Sequence, residues 1–410
     1  MTAPTCRFCQ TPLVHTFADL GMAPLSNAFV KAGALAHPDA VYPLHARVCA
    51  NCFLVQLEEF QTPKDIFTDY AYFSSFSSSW LIHCEAYAQK MLDEGLLPRN
   101  GRVVEIASND GYLLQFFQNR GVAVLGIEPA ANVAAAAIKK GIPTEVCFFG
   151  TQTARRILEL YGPADLLAAN NVLAHVPDLN DFVRGLAVLL APSGLATLEF
   201  PSLRRLIAEN QFDTIYHEHF SYFSLMTARR IFREHGLQVY DAEDLPTHGG
   251  SLRIYARHLA ARAADTPRLQ TLLADEETFG LGRLETYTSF PGRVQHVKRS
   301  LLEFLHQARG AGKKIAAYGA PAKGNTLLNY CGIGTDSIAF TVDRNPHKQN
   351  TWLPGSRIPV RPPEAIRDFC PDYLLILPWN LRDEIMGEMA HIREWGGCFV
   401  VPIPETTVLA

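Results

Sequence analysis

From about residue 80 the chain settles into a repeating pattern of apolar and polar positions. Residues 81–96 read as a helix, whereas 102–107, 122–127, 165–170 and 194–199 are short, nearly continuous apolar runs that read as strands. A second helix is predicted from Tyr112, and an Ala-rich helix after the second strand runs to Lys140. This alternation of strand and helix predicts a doubly wound parallel α/β sheet.

In such a sheet, ligands bind beyond the C-terminal strand ends, where the strand order reverses. Two features fall there. One is the segment from Glu105 through Ser108-Asn109-Asp110 to Gly111; the other is Glu128, which closes the second strand. A carboxylate in the latter place is positioned to accept both ribose hydroxyls of an adenosine cofactor. The first turn lacks the G-x-G-x-x-G of dinucleotide sites, which favours S-adenosylmethionine (SAM), a cofactor with no pyrophosphate to cradle. Gly111, Glu128 and Asn170 carry this reading; the competing one makes the turn residues simple caps.

Residues 268–310 are rich in Leu, Glu and Arg and read as helical. Residues 313–320 then read as strand and turn, opening a second α/β unit with further strand ends at 341–343 and 372–379. The turn from Gly319 to Gly324, with Lys323, could receive a diphosphate at a helix N-terminus. It is not a P-loop, because Gly-Lys-[Ser/Thr] is missing. Asp343 ends a strand as a ribose-binding acid would.

Composition narrows the classes. A chain of 410 residues holds two or three domains. A net charge of −4 argues against a nucleic-acid partner. No run approaches the roughly 18 apolar residues of a membrane span, and MTAPTCRFCQ lacks the basic start and apolar run of a secretory leader. A cytoplasmic protein is expected, and the oligomeric state stays open, a monomer included. Five of the nine cysteines (Cys84, Cys147, Cys331, Cys370, Cys398) stand alone, as in a reducing compartment. The other four form two C-x-x-C knuckles, Cys6-Arg7-Phe8-Cys9 and Cys49-Ala50-Asn51-Cys52. Each knuckle presents two thiolates from one tight turn, so the pair predicts one structural Zn2+ with no open position for water. A redox pair would sit near a βαβ pattern, and neither knuckle does.

Several blocks resemble one family: the paired knuckles, Val104-Glu105-Ile106 with Asn109-Asp110-Gly111, Gly126-Ile127-Glu128-Pro129, and Ala169-Asn170-Asn171 through His175-Val176-Pro177. Tyr216-His217-Glu218-His219-Phe220, His248-Gly249-Gly250-Ser251-Leu252-Arg253 and Tyr318-Gly319-Ala320-Pro321-Ala322-Lys323-Gly324-Asn325 complete the set. Together they resemble the sugar C-methyltransferases of deoxysugar biosynthesis, typified by the tetronitrose 3-C-methyltransferase. The resemblance implies a zinc-binding domain (residues 1–68), a class I SAM-binding Rossmann-like domain (69–255) and a C-terminal Rossmann-like domain (256–410) that takes part in nucleotide-sugar recognition. It implies Glu105, Asn109, Gly111, Glu128, Pro129 and Asn170 as cofactor contacts.

The same resemblance implies His219 as the base that takes a proton from the carbon beside a sugar ketone, with Glu218 and Tyr216 on the sugar or its enolate. His217 receives no role. His175 would orient the sulfonium or the substrate, and Tyr70, with Tyr72 as the rival assignment, would present a phenol to the reacting sugar. The expected reaction is SAM-dependent C-methylation of a nucleotide-linked 4-keto-deoxysugar at C3. An O- or N-methyltransferase and a zinc-containing binding module are the competing functions, and metal binding by His217 and His219 is the competing reading of that segment. One departure stands out. The general turn of SAM methyltransferases, E-x-G-x-G-x-G, keeps only its last glycine in Glu105-Ile106-Ala107-Ser108-Asn109-Asp110-Gly111.

Overall fold

The computed structural model describes residues 4–62, 74–76 and 78–410. Compact packing divides the chain into two interleaved units. Met1–Leu13, Cys49–Leu203 and Glu218–Gly282 form the first; Val14–Val48, Arg204–His217 and Arg283–Ala410 form the second. The three-segment division 1–68, 69–255 and 256–410 runs along the sequence, whereas packing sends both knuckles to the first unit and the hairpin between them to the second.

The first unit is built on β1 (Arg102–Ile106), β2 (Ala123–Ile127), β3 (Thr144–Glu145), β4 (Ala164–Asn170), β5 (Leu190–Pro201), β6 (Leu237–Leu245) and β7 (Ser251–His258). Their order is β6-β7-β5-β4-β1-β2-β3. Neighbours among β1 to β5 pair in parallel. The expectation of a parallel sheet needs one correction: β7 runs antiparallel to both β5 and β6. The physical reason is the short turn at 246–250, since a close connection makes a hairpin and cannot cross over. The order reverses at β1, whose neighbours are β2 and β4, and this places the expected ligand edge at the turn after β1.

Side-chain alternation along these strands sorts chemistry from core. Val104 and Ile106, Leu167 and Ala169, and Ala196 and Leu198 share one core with Phe182 and Leu186 of helix Leu179–Leu189 and with knuckle residues Phe8 and Leu54. Val103, Leu166, Ala168 and Leu195 face the other way, under Tyr87 and Met91 of helix Ser78–Asp93. Counting in twos along that second face reaches Glu105 on β1, Asn170 on β4 and Glu199 on β5, all buried. Three polar groups thus end up together on the face that helix Ser78–Asp93 covers. That helix begins before the expected residue 81, while the one expected from Tyr112 is the short Leu114–Gln118.

The second unit holds β8 (Ile315–Tyr318), β9 (Thr341–Val342), β10 (Val360–Arg361), β11 (Tyr373–Ile376), β12 (Cys398–Val401) and β13 (Thr407–Leu409), ordered β10-β9-β8-β11-β12-β13. All pairs are parallel except β12 with β13. The expected helical stretch 268–310 is three helices, Pro267–Phe279, Leu284–Thr288 and Phe290–Gly310. An antiparallel hairpin of His15–Pro24 with Val41–Val48 packs on the last two. Its Phe17 is fully buried, stacked on Phe290 at 4.6 Å between ring centres and tilted against Tyr287 at 6.3 Å.

Removing that ring leaves a cavity no neighbour can fill. Phe17→Ala should cost about 3–5 kcal/mol and lower the urea midpoint of unfolding, while Phe17→Leu should cost much less.

Candidate active site

The four knuckle sulfurs lie within 4.8 Å of one another. Cys6 to Cys52 and Cys9 to Cys49 are each 3.5 Å apart, and Cys9 to Cys52 is 3.6 Å. A tetrahedron of Zn–S bonds has edges of about 3.8 Å, so the set fits one zinc ion. The two knuckles are built alike. The amide of Gln10 donates to the carbonyl of Cys6, and that of Phe53 to Cys49, each at 2.9 Å. Gln10 and Phe53 hold φ of 63° and 59°, left-handed positions that let the chain leave each knuckle. The electrostatics ask for a cation: the Cys49 sulfur beside it and burial push the Cys6 thiol up to about 11. The Gln56 amide donates to Cys6 Sγ at 3.2 Å, a contact that favours the thiolate.

The turn after β1 resolves the missing glycines. Ala107, Asn109 and Gly111 have φ of 57°, 48° and 79°. These are the three glycine places of E-x-G-x-G-x-G, and the backbone keeps the left-handed form at each although two carry side chains. At Gly111 a Cβ would also lie 2.2 Å from Ile142 Cδ1, so that side chain would have to move. The Asn109 amide donates to Glu128 Oε2 at 2.9 Å and the Ala130 amide to Glu128 Oε1 at 2.8 Å. Burial raises the Glu128 carboxyl and those two amides oppose the rise. Each Glu128 oxygen keeps a lone pair for a hydroxyl. The Asn109 side chain accepts instead from the Ser74 amide at 2.9 Å, so this residue ties the segment before helix Ser78–Asp93 to the turn. Pro129, half-buried, offers no amide and leads into helix Ala131–Lys139.

Glu105 is fully buried, and burial raises its carboxyl well above the usual range while the Tyr112 phenol beside it acts the other way. Neither Glu105 oxygen, nor Asn170 Oδ1, has a hydrogen-bond partner among the described residues. A buried carboxyl of this kind suits a positively charged donor, and the α-ammonium group of SAM is one. The residues present fit the cofactor.

Sequence reading overlooked the network beside this edge. Glu199 accepts from Arg253 at 2.9 Å and from Thr247 at 2.8 Å, and its Oε2 lies 2.9 Å from His83 Nε2. Burial would raise Glu199, yet His83 and Arg253 hold it down at about 2. His83 stacks on Trp80 at 5.0 Å, and Trp80 also meets His248 at 5.3 Å. His248 lies 3.3 Å from Asn171 Nδ2. The block His248-Gly249-Gly250-Ser251-Leu252-Arg253 was the available signal, and its partners came from distant strands.

The segment 216–219 divides. Tyr216 and His217 belong to the second unit, Glu218 and His219 to the first. A turn at His217-Glu218 sends the imidazoles apart: His217 is buried against Tyr42 at 6.0 Å, whereas His219 faces His175 at 4.7 Å and Tyr222 at 6.1 Å. His175 closes the short helix Leu173–His175, and its Nδ1 is 2.7 Å from the Glu218 carbonyl. A carbonyl only accepts, so Nδ1 carries the proton and donates. Burial lowers His175 to about 4, leaving it neutral near pH 7. Among the described residues, the four cysteines are the one group of three or more ligand side chains close enough to hold a metal ion. Tyr70 and Tyr72 lie outside the described residues.

In the second unit Asp343 accepts the Ala320 and Asn345 amides at 2.8 Å each. Lys323 donates to Asn380 at 2.7 Å and lies 4.4 Å from the centre of the Trp379 ring. Trp379 donates to the buried Asp213 at 2.7 Å, and burial raises Asp213 to about 6.

Ala107→Gly should relieve left-handed strain, adding about 1 kcal/mol of stability and raising the melting temperature, whereas Gly111→Ala should lower both melting temperature and SAM affinity measured by calorimetry. Unfolded His175 takes up a proton below about pH 6.5 and the folded residue only near 4, so its contribution is present above 6.5 and lost as pH falls. Wild type should lose about 3 kcal/mol over that interval relative to His175→Asn, read from urea midpoints across pH.

Residues 6–67 match a family described as a zinc binding domain, 83–242 a methyltransferase domain, and 246–404 a C-methyltransferase C-terminal domain. The chain is 36% identical over 405 residues to the C-methyltransferase NovU of Streptomyces niveus, covering 99% of this chain and 96% of that one. It is also similar to the SAM-bound magnesium protoporphyrin IX methyltransferase of Synechocystis PCC 6803 (15% identity, TM-score 0.33, 43% of this chain and 78% of that one). A SAM-dependent methyltransferase from Anabaena variabilis matches at 14% identity and a TM-score of 0.35, over 42% of this chain and 84% of that one. The O- or N-methyl and binding-module readings give way to a SAM-dependent C-methyltransferase with a four-cysteine zinc site: the chain belongs to the C-methyltransferase family.

Proposed function

We propose that the enzyme methylates C3 of a nucleotide-linked 4-keto-deoxysugar in cytoplasmic deoxysugar biosynthesis. The observation that carries this reading is the pair of imidazoles, His175 and His219, whose rings lie 4.7 Å apart. One of the two is neutral and fixed by its bond to the Glu218 carbonyl. A C–H bond beside a ketone needs a positioned base to yield a carbon nucleophile, and a largely neutral imidazole suits that task near pH 7.

In this reading His219 takes the C3 proton, and the electrons of that bond pass into the carbonyl as an enolate. Glu218 and Tyr216 hydrogen-bond the sugar, and a phenol, Tyr70 or its rival Tyr72, steadies the enolate oxygen. His175 holds the Glu218 carbonyl, so the loop bearing the base keeps its place. Bound SAM, held at Glu105, Asn109, Gly111, Glu128, Pro129 and Asn170, supplies the methyl electrophile. In the second unit, the Gly319–Gly324 turn opens helix Ala322–Cys331, a helix N-terminus of the kind that suits a diphosphate.

The test incubates the enzyme and SAM with dTDP-, GDP- and UDP-linked 4-keto sugars. Mass spectrometry should find one acceptor gaining a methyl group, with NMR placing it on C3. His219→Ala should lower turnover by about 10²–10⁴-fold and, without SAM, abolish exchange of the C3 proton into D2O. Wild-type turnover in His219→Ala would remove the base assignment.

A further inference from the structure

Arg7 occupies the first variable place of the first knuckle, where any solvated residue would serve zinc binding alone. Its side chain instead runs inward. Nη1 donates to the Pro177 carbonyl at 2.9 Å, Nη2 donates to the Leu57 carbonyl, and the guanidinium lies 5.5 Å from the centre of the Phe220 ring. The main chain is gripped as well. The Arg7 amide donates to Gln56 Oε1 at 2.9 Å, and Asn180 Nδ2 donates to the carbonyls of Arg7 and Phe8 at 3.2 and 3.0 Å.

Two of the guanidinium's partners, Pro177 and Phe220, belong to the histidine-bearing segments. Pro177 lies two places after His175, and Phe220 directly follows His219. The Phe220 amide donates to Ala174 at 2.7 Å, and the Leu57 amide donates to the Phe220 carbonyl at 3.0 Å. Just beyond, Ser221–Tyr222 pairs with Val55–Gln56, the strand that leaves the second knuckle. One guanidinium therefore meets three segments: the one after His175, the one after His219 and the exit of the second knuckle.

We infer that Arg7 is a positioning residue for methyl transfer: it locks the His175 and His219 segments to the zinc knuckles and so sets the spacing of the two imidazoles. It touches no substrate and acts through backbone carbonyls and the Phe220 ring. A planar fork can hold two carbonyls at once, which an ammonium on a flexible stem cannot do with the same geometry. The inference rests on the reading of His219 as the base. Misplacement of a catalytic group by about 1 Å is enough to cost on the order of 10²-fold in rate.

The test uses the full zinc-loaded enzyme and the variants Arg7→Met and Arg7→Lys. Arg7→Met should keep one zinc per chain by elemental analysis and bind SAM with wild-type affinity by calorimetry. Its kcat should fall about 10- to 100-fold with KM for SAM unchanged, and the amides of Phe220 and Leu57 should exchange hydrogen faster. Arg7→Lys should recover part of kcat. Wild-type kcat with unchanged exchange in Arg7→Met would overturn the inference, as would a rate loss matched by zinc loss in both variants. If Arg7→Met does not fold, Arg7→Lys decides alone: reduced kcat with zinc and SAM binding intact supports the clamp, and wild-type kcat refutes it. Should His219→Ala prove fully active, the base assignment fails, while amide exchange at Phe220 still decides whether Arg7 clamps the segment.

Discussion

Four sulfurs within 4.8 Å of one another cannot all be thiolates unless a dication lies among them. Much of the first unit hangs on that constraint. The metal joins residues 6–9 to 49–52, and each knuckle passes its rigidity onward by a different route. Arg7 and Asn180 carry it toward the segment after His175, while Gln56 and the Val55–Gln56 strand carry it to Ser221–Tyr222. A zinc ion with a full shell of protein sulfurs does no chemistry on a substrate. Its effect here is geometric, because the elements it fixes are neighbours of the two imidazoles.

The cofactor edge obeys a second constraint, backbone conformation. Glycine is common at left-handed positions because it bears no Cβ, but the fold requires the conformation and tolerates other residues at a cost in strain. Ala107 and Asn109 take that conformation as Gly111 does. Asn109 offsets part of its cost through its side chain, which accepts the Ser74 amide, and its own amide holds Glu128. A turn that departs from the usual glycine pattern thus presents the same backbone. Glu105 and Glu128, both buried, differ in supply: Glu128 is held by two amides, whereas neither Glu105 oxygen has a hydrogen-bond partner among the described residues.

The Glu199 network shows how one sheet face gathers charge. Period-two alternation puts Glu105, Asn170 and Glu199 on the face under helix Ser78–Asp93, and that helix answers with His83, while β7 supplies Arg253. A buried carboxylate is tolerable only when paired and hydrogen-bonded; Glu199 meets both conditions.

The sequence by itself determined what depends on local pattern. The zinc ligands follow from C-x-x-C spacing, the strands from short apolar runs, and the place of Glu128 from its position at a strand end, because each requires only neighbours along the chain. Tertiary structure decided whatever depends on residues distant in sequence. It split residues 216–219 so that His217 meets Tyr42 and His219 meets His175, made β6 and β7 an antiparallel edge, and brought Arg7 to Pro177 and Phe220. Nothing near Arg7 in the sequence names those partners. They are set by where the strands and the metal place the backbone, and only the assembled fold holds that information.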